Sequence, residues 1–241
     1  MGASGKLGRG GSRHAPGTRA DWAHQRLRAA ILTGELAPGT KLVVEDLAQR
    51  WAVSPTPLRE AFQRLGGHGL VELTSQRGAR VAPFSLDEAA DLYELRLLLE
   101  PRALRASLDA TDDAHKSEIL AAHGRLEAAM AASPIDPVTI SEAHLGFHAA
   151  LLARCPSAWM RRMVGLLAEH AQRYQLLGAQ QYRRGSDPVR EHAALRDAAV
   201  RGQVDRAVDL LEKHLHGTLR AVRATIEAAG APAPRRKHRR A

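Results

Sequence analysis

Apolar residues recur three and four positions apart along most of this chain, a spacing that is typical of helices with one buried face. The first segments with this spacing are residues 19–33 and 44–51, and we predict a short helix in each. The stretch between them, "GELAPGTKL", contains Pro38 followed by Gly39, which indicates a tight turn in a loop. The chain therefore begins its folded part with two helices and a connecting loop.

The third predicted helix starts at Ser54 and has two prolines in its first turn. Pro55 and Pro57 fit there because the first amide groups of a helix have no partner within the helix. One face predicts a buried apolar stripe: Leu58, Ala61, Phe62 and Leu65. Another face carries polar side chains that are left to meet a partner: Thr56, Arg59 and Gln63.

A strand, a turn and a second strand are predicted after this helix. "LVEL" at residues 70–73 and "ARVAP" at residues 79–83 form the strands, and Arg77 and Gly78 lie at the tip between them. Three helices followed by such a ribbon make a winged helix-turn-helix, which places its third helix in the major groove of DNA. The alternative is an ordinary amphipathic helix with a solvated arginine.

The rest of the chain shows helical spacing without strand alternation. Turn residues and prolines, Pro101 among them, interrupt the pattern. We predict six helices: 86–110, 112–132, 137–154, 156–181, 187–201 and 204–229. The predicted fold class is mainly α, an N-terminal winged helix-turn-helix (residues 19–83) followed by an antiparallel α-helical bundle effector domain (residues 84–230).

The net charge of +9 is concentrated at the two ends of the chain. Residues 1–83 contribute +6, residues 84–230 contribute −2 and residues 231–241 contribute +5, which add to +9. We expect residues 1–18 and 231–241 to be disordered basic tails. The basic N-terminal part indicates a polyanionic partner, because contacts to phosphates require clustered cations.

The single cysteine, Cys155, permits no intramolecular disulfide and no CxxC motif, and we expect it to be a small buried residue. The sequence has no apolar run of membrane-spanning length and no apolar N-terminal signal. We therefore expect a cytoplasmic protein without membrane contact.

The N-terminal motifs resemble the DNA-binding domain of the GntR superfamily of bacterial transcription regulators. The resemblance rests on the loop "GELAPGTKL", on "LA" in the second helix, on "VSPTPLREA" and on "GLV", in this order. It implies that Arg59 contacts the operator, that Ser54 and Thr56 lie at the N-terminal end of the third helix and that Gly78 approaches the minor groove. With the polar face and the wing tip, the candidate DNA-binding set is Ser54, Thr56, Arg59, Gln63, Arg77 and Gly78. Many members carry arginine where this chain has Pro55, so the operator sequence is expected to differ.

Several histidines of the second half are candidates for a metal site. His144 and His148 are four residues apart and project from one face of a helix, as two ligands of one metal must. His192 and His214 lie on apolar helical stripes, and the same spacing places His123 and His170 on apolar stripes. His216 shares a charged face and is expected in solvent. Periodicity alone leaves open which of the inward histidines are ligands and which are hydrogen-bonded core residues.

The second half is similar to the all-helical FCD effector domain, through "DLYELRLLLEPRALRAS", "FHAALLARC", "EHAALRDAAVRGQVDRA" and "KHLH". The resemblance implies that a divalent metal is held by His144, His148, His192 and His214. His144 stands where the family has aspartate, so the four ligands would be neutral imidazoles, which favours Zn²⁺ or Ni²⁺ and an anionic effector. Arg96 is the candidate partner of an effector carboxylate, and the alternative for it is a surface ion pair with Glu100.

These observations predict a homodimeric transcription regulator that binds a near-palindromic double-stranded operator and responds to a small organic acid. A first alternative is a helical metal-dependent hydrolase with an accessory nucleic-acid-binding domain, although the sequence contains no HExxH motif. A second alternative is an architectural protein that binds nucleic acid through its basic ends without sequence preference.

Overall fold

The computed structural model describes residues 18–74, 78–185 and 187–228. It comprises an N-terminal module (residues 18–81) and a larger helical bundle (residues 86–228), each with its own cluster of buried apolar side chains. The predicted fold class is confirmed: mainly α, with a winged helix-turn-helix followed by an antiparallel bundle. Both predicted basic tails fall largely outside the described residues, and their disorder stays a prediction.

The N-terminal module combines three helices with a small antiparallel sheet in which β3 is the middle strand. Its elements are α1 (Arg19–Leu32), β1 (Lys41–Leu42), α2 (Val44–Trp51), α3 (Pro55–Gly67), β2 (Val71–Thr74) and β3 (Gly78–Val81). The sequence predicts a loop where β1 lies. Two residues carry no readable periodicity, and this strand is defined only by the pairing of Lys41 with Arg80 and of Leu42 with Ala79.

Local chemistry explains where these helices begin. Thr18 and Asp21 form a reciprocal capping box at the start of α1, so Thr18 belongs to the folded part. Ala52 adopts the left-handed conformation (φ 51°) in the turn between α2 and α3. Ser54 occupies the N-cap position of α3, but its side chain makes no capping hydrogen bond. The start of α3 therefore depends on Pro55, whose ring fixes a helical φ.

The bundle consists of long helices close to the predicted ones, with bounds that shift by a few residues. They are α4 (Leu86–Asp109), α5 (Asp113–Ala131), α6 (Pro137–Leu151), α7 (Ala158–Gly185), α8 (Pro188–Val200) and α9 (Val204–Ala228). Side-chain oxygens accept first-turn amides at Ser85, Asp112, Asp136 and Asp187. Pro101 lies buried inside α4 and does not end the helix. Buried residues of α4 lie on both sides of the proline, so tertiary packing holds the whole helix in place.

The module and the bundle are joined by polar contacts around the end of α3. The buried Arg173 of α7 donates to the Gly69 carbonyl at 2.8 Å and pairs with Glu88 of α4. His170 Nε2 lies 3.2 Å from the Gly67 carbonyl oxygen. Gly69 has a positive φ of 67°, and a Cβ there would lie 2.4 Å from His170 Nδ1. Glycine is therefore required at this close approach.

A second set of contacts connects α1 with α6 and α7. Arg28 donates to Glu142 at 3.1 Å and to Gln172 at 2.8 Å. Val138 of α6 packs against the apolar core of the N-terminal module. Because α6 also carries His144 and His148, these contacts bring the N-terminal module next to these two candidate metal ligands. Within the described residues, none of the helices combines the length and the apolar character needed to cross a bilayer.

Candidate functional site

Four histidines from three helices converge inside the bundle. His144 and His148 lie one turn apart on α6, and His192 of α8 and His214 of α9 face them. One ring nitrogen from each lies within 4.8 Å of those of the other three, a separation that fits ligands of one metal ion. His148, His192 and His214 are buried and His144 is half-buried. The structure thus brings together the residues that the sequence and the family resemblance single out.

The hydrogen bonds around the cluster orient the rings for ligation. His192 Nδ1 lies 2.6 Å from the Pro188 carbonyl oxygen, so this nitrogen carries the proton and Nε2 keeps its lone pair. His214 Nδ1 lies 3.4 Å from a Glu191 carboxylate oxygen. Among the described residues, the buried Nε2 atoms of His148 and His192 have no hydrogen-bond partner. An unpartnered Nε2 on a ring whose Nδ1 is hydrogen-bonded, as in His192, is what a metal ligand requires.

Burial and mutual proximity lower the pKa values of three histidines of the cluster: His144, His148 and His192. Burial lowers the pKa of His192 to about 3, and the nearby His214 adds to the effect. Burial also lowers the pKa of His144 and His148 well below the usual range, with further contributions from the neighbouring imidazoles and from Arg96. His144, His148 and His192 are therefore neutral at pH 7 and need release no proton to bind a cation.

Arg96 lies near the cluster, in the apolar interior of the bundle. Its guanidinium pairs with Glu100 through Nε to Oε1 at 2.6 Å and Nη2 to Oε2 at 3.4 Å, and both side chains are only 2% exposed. The ion pair that the sequence offers as an alternative is thus present, but it is buried instead of lying on the surface. The guanidinium also lies over the Tyr93 ring at 4.9 Å, and within the described part Nη1 of Arg96 is buried without a hydrogen-bond partner.

The remaining inward histidines serve other contacts. His123 is buried with its ring against Phe147 at a centroid distance of 5.4 Å, and its Nδ1 lies 3.1 Å from Arg196. His170 contacts the end of α3. His216 is exposed, as predicted. The sequence pattern did not separate His123 and His170 from the cluster, because their helical faces look alike until the helices pack.

The candidate DNA-binding side chains lie on an exposed face of the N-terminal module. Ser54, Thr56, Arg59 and Gln63 are all exposed on α3 or at its start. Arg59 is 60% exposed and pairs with Glu45 of α2 at 3.2 Å. A shallow groove of about 560 Å³ is lined in part by Arg59, Gln63, Gly78 and Lys41. Lys41, which sequence reasoning missed, is an exposed cation beside this face.

The wing turn is only partly described. Gly78 is exposed, starts β3 and has a φ of 87°, a conformation that favours glycine. Arg77 lies outside the described residues.

Two family models match the chain and together cover most of the folded part. The model described as "Bacterial regulatory proteins, gntR family" matches residues 20–81, and the one described as "FCD domain" matches residues 91–217.

Two similar relatives are transcriptional regulators. The HTH-type transcriptional regulator BphR of Paraburkholderia xenovorans is 37% identical over 203 residues, which cover 83% of each chain. The HTH-type transcriptional repressor GlaR of Escherichia coli is 29% identical over 197 residues, 78% of this chain and 89% of that protein. A GntR regulator of known structure from Rhodococcus sp. RHA1 has a TM-score of 0.69 at 24% identity and covers 86% of this chain and 98% of its own. The similarity to the Rhodococcus structure supports the assignment of the fold.

These similarities show whether the chain is a transcription regulator or an enzyme. The matched family and the named relatives are regulators of transcription and not enzymes. The hydrolase alternative therefore has no support, and the histidine cluster is to be explained as part of a binding domain.

Proposed function

The chain belongs to the GntR family of bacterial transcription regulators, in the group with an FCD effector domain, and we propose that it senses a small carboxylic acid through a metal ion in that domain. DNA binding and transcription regulation follow from the family. The proposal concerns the metal, the acid, the residues that contact DNA and the assembly. We place the boundary between DNA-binding and effector domains at residues 83 and 84, with basic tails at 1–18 and 231–241.

The observation that carries the proposal is the convergence of His144, His148, His192 and His214, whose ligand atoms lie within 4.8 Å of one another. Neutral imidazoles suit Zn²⁺ and Ni²⁺. A bound dication would act as a Lewis acid that attracts an anion. The four ligands carry no charge to compensate it, and we therefore expect a carboxylate to complete the site.

Arg96 supports binding of an acid at the same place. It contributes positive potential at His144 and His148, and its Nη1 is free of hydrogen bonds to the described residues. Glu100 neutralises most of its charge, which lowers the cost of keeping a guanidinium in the apolar interior. The arginine can thus donate to a carboxylate without carrying an uncompensated charge when the ligand is absent.

For DNA, we propose that α3 enters the major groove with Ser54, Thr56, Arg59 and Gln63 toward the bases. These side chains are exposed on one side of the module, and the groove beside them continues to Gly78. The predicted partner Arg77 would extend this surface at the wing tip. One such module reads one half-site, so we propose a homodimer on a near-palindromic operator.

The metal proposal is tested by elemental analysis of protein that has been stripped with a chelator, incubated with Zn²⁺ or Ni²⁺ and desalted. We expect one ion per chain in the natural protein and loss of the ion in His148→Ala. His216→Ala is the matched control, because His216 is an exposed histidine outside the cluster, and it should keep the full content.

Circular dichroism of each variant shows whether the fold is retained. Full metal content in folded His148→Ala, or no uptake by the natural protein, would contradict the metal site. Native mass spectrometry of the same samples reports the dimer independently.

A further inference from the structure

A cavity of about 620 Å³ opens between the N-terminal module and the bundle, and the histidine cluster forms one end of it. His144, His192 and His214 line that end. The wall contributed by the bundle is apolar: Leu126, Met130 and Ile140. The wall contributed by the DNA-binding half is apolar as well: Ile31, Leu32 and Val81. The cavity therefore continues from the proposed metal site to the module that reads DNA.

The size of the cavity argues against a compact effector. Cavities of about 300 to 1,000 Å³ hold ligands of drug size, whose bodies are mostly apolar and whose few polar groups fix orientation. An acid no larger than acetate or lactate would occupy only the histidine end and leave the apolar walls in contact with water. Burying apolar surface is favourable at about 25 cal/mol per Å², so a longer ligand gains from these walls.

We infer that the effector is a monocarboxylic acid with an apolar body that lies between the two halves of the chain. Its carboxylate lies at the histidine cluster, and its body extends along Leu126 and Met130 to Ile31 and Leu32. This inference rests on the proposed function, since the anchoring of the carboxylate at the cluster is part of that proposal. What it adds is the chemical class of the ligand and a wall supplied by the DNA-binding module.

The position of Arg173 is consistent with a ligand that influences DNA binding. Arg173 lines the cavity, is 6% exposed and donates to the Gly69 carbonyl just after α3. Its Nε is buried and has no hydrogen-bond partner within the described part of the chain. A ligand that contacts both halves stabilises the conformation in which α3 is positioned so that the cavity is closed around the ligand. Ligand binding therefore changes the fraction of molecules in which α3 has that position.

The inference is tested by calorimetric titration of the zinc-loaded full chain at fixed pH with butanoate, hexanoate and octanoate. Each buried methylene is expected to strengthen binding by about fourfold, so octanoate should bind on the order of 100-fold more tightly than butanoate, with one acid per chain. Thr33→Trp places a large ring in the cavity from the module side, at an exposed residue that lines it. It should weaken octanoate binding at least tenfold and leave butanoate binding unchanged.

Gln25→Trp is the matched control, because Gln25 is exposed on α1, the helix that Thr33 follows, and does not line the cavity. It should behave like the natural protein. Ile31→Ala is a second variant that removes apolar contact, and it should weaken octanoate binding selectively. Circular dichroism verifies that each variant is folded.

Several results would overturn the inference. Equal affinity for butanoate and octanoate would mean a compact effector, and equal behaviour of Thr33→Trp and Gln25→Trp would place the apolar body elsewhere. No binding of any acid to protein that holds one zinc per chain would also exclude it, while the zinc content would still support the metal site. Failure to take up zinc, in contrast, contradicts the proposed function itself.

Discussion

The buried pair of Arg96 and Glu100 offers a quantitative test of the interior next to the histidine cluster. In Glu100→Gln the carboxylate becomes a neutral amide of the same shape, and the guanidinium loses its counter-charge. Both side chains are 2% exposed, so water cannot compensate Arg96 without a rearrangement of the bundle. The predicted result is a large loss of stability together with a fold that is otherwise preserved.

The magnitude follows from the geometry of the pair. Removing one partner of a buried ion pair costs about 3–5 kcal/mol, because the remaining charge is desolvated and uncompensated. The glutamine oxygen can still accept the hydrogen bond that Arg96 Nε makes at 2.6 Å, so the lower end, about 3 kcal/mol, is expected. The double variant Arg96→Met with Glu100→Leu removes both charges and should regain most of this loss.

Urea unfolding followed by circular dichroism measures the effect, with Glu118→Gln as the matched control. Glu118 forms a two-point contact with Arg154 at 2.9 and 3.2 Å, but it is 49% exposed, and its loss should be several-fold smaller. If Glu100→Gln is no more destabilising than Glu118→Gln, Arg96 reaches solvent, and its assignment as a buried donor for an effector carboxylate is wrong.

The remaining predictions concern DNA and pH. Arg59→Ala should weaken binding to a duplex selected from a random pool by about 1–3 kcal/mol at matched salt, whereas Arg190→Ala, which removes an 88% exposed arginine of the bundle, should not. In the presence of a chelator, the free energy of unfolding should fall as the pH drops from 6.5 to 5. In this pH range the unfolded chain binds a proton at His192, whereas the folded chain does not, because burial lowers the pKa of His192 to about 3. This residue alone should lower the free energy of unfolding by about 2 kcal/mol. His192→Asn should reduce that fall, and an unchanged pH dependence would contradict a buried neutral cluster.

Most of the fold was predictable from sequence because the long helices carry their own signals. The apolar stripe on α3 and the turn residues and prolines that separate the later helices are local features, and the structure confirms the helices that they predict. Strand β1 was missed since its pairing with β3 is a tertiary property. Pro101 interrupts the local helical pattern, but the predicted helix 86–110 includes it, as α4 does: the cost of the proline is local, whereas the packing that holds α4 together is not.

The candidate metal site was only half predictable from the residues themselves. The spacing of His144 and His148 places them on one face of α6, but nothing in the periodicity distinguishes His192 from His123. Both rings contact Phe147 of α6, but the His192 ring also lies against His144 and His148, whereas Nδ1 of His123 lies 3.1 Å from Arg196. The family resemblance supplied the choice that periodicity could not, and the 4.8 Å cluster agrees with it.

The arrangement of α6 and α7 gives a physical route from an effector to DNA. Glu142 of α6, which pairs with Arg28 of α1, lies two residues before His144, the first of the proposed metal ligands. On α7, Gln172 contacts the same arginine, and Arg173 contacts the carbonyl that follows α3. Packed helices shift as units more readily than they bend, so a displacement of α6 by the proposed ligand would be transmitted to α1 and α3 together. Since α1 packs directly on α3, the proposed effector site and the orientation of the DNA-binding face would then be coupled through one equilibrium.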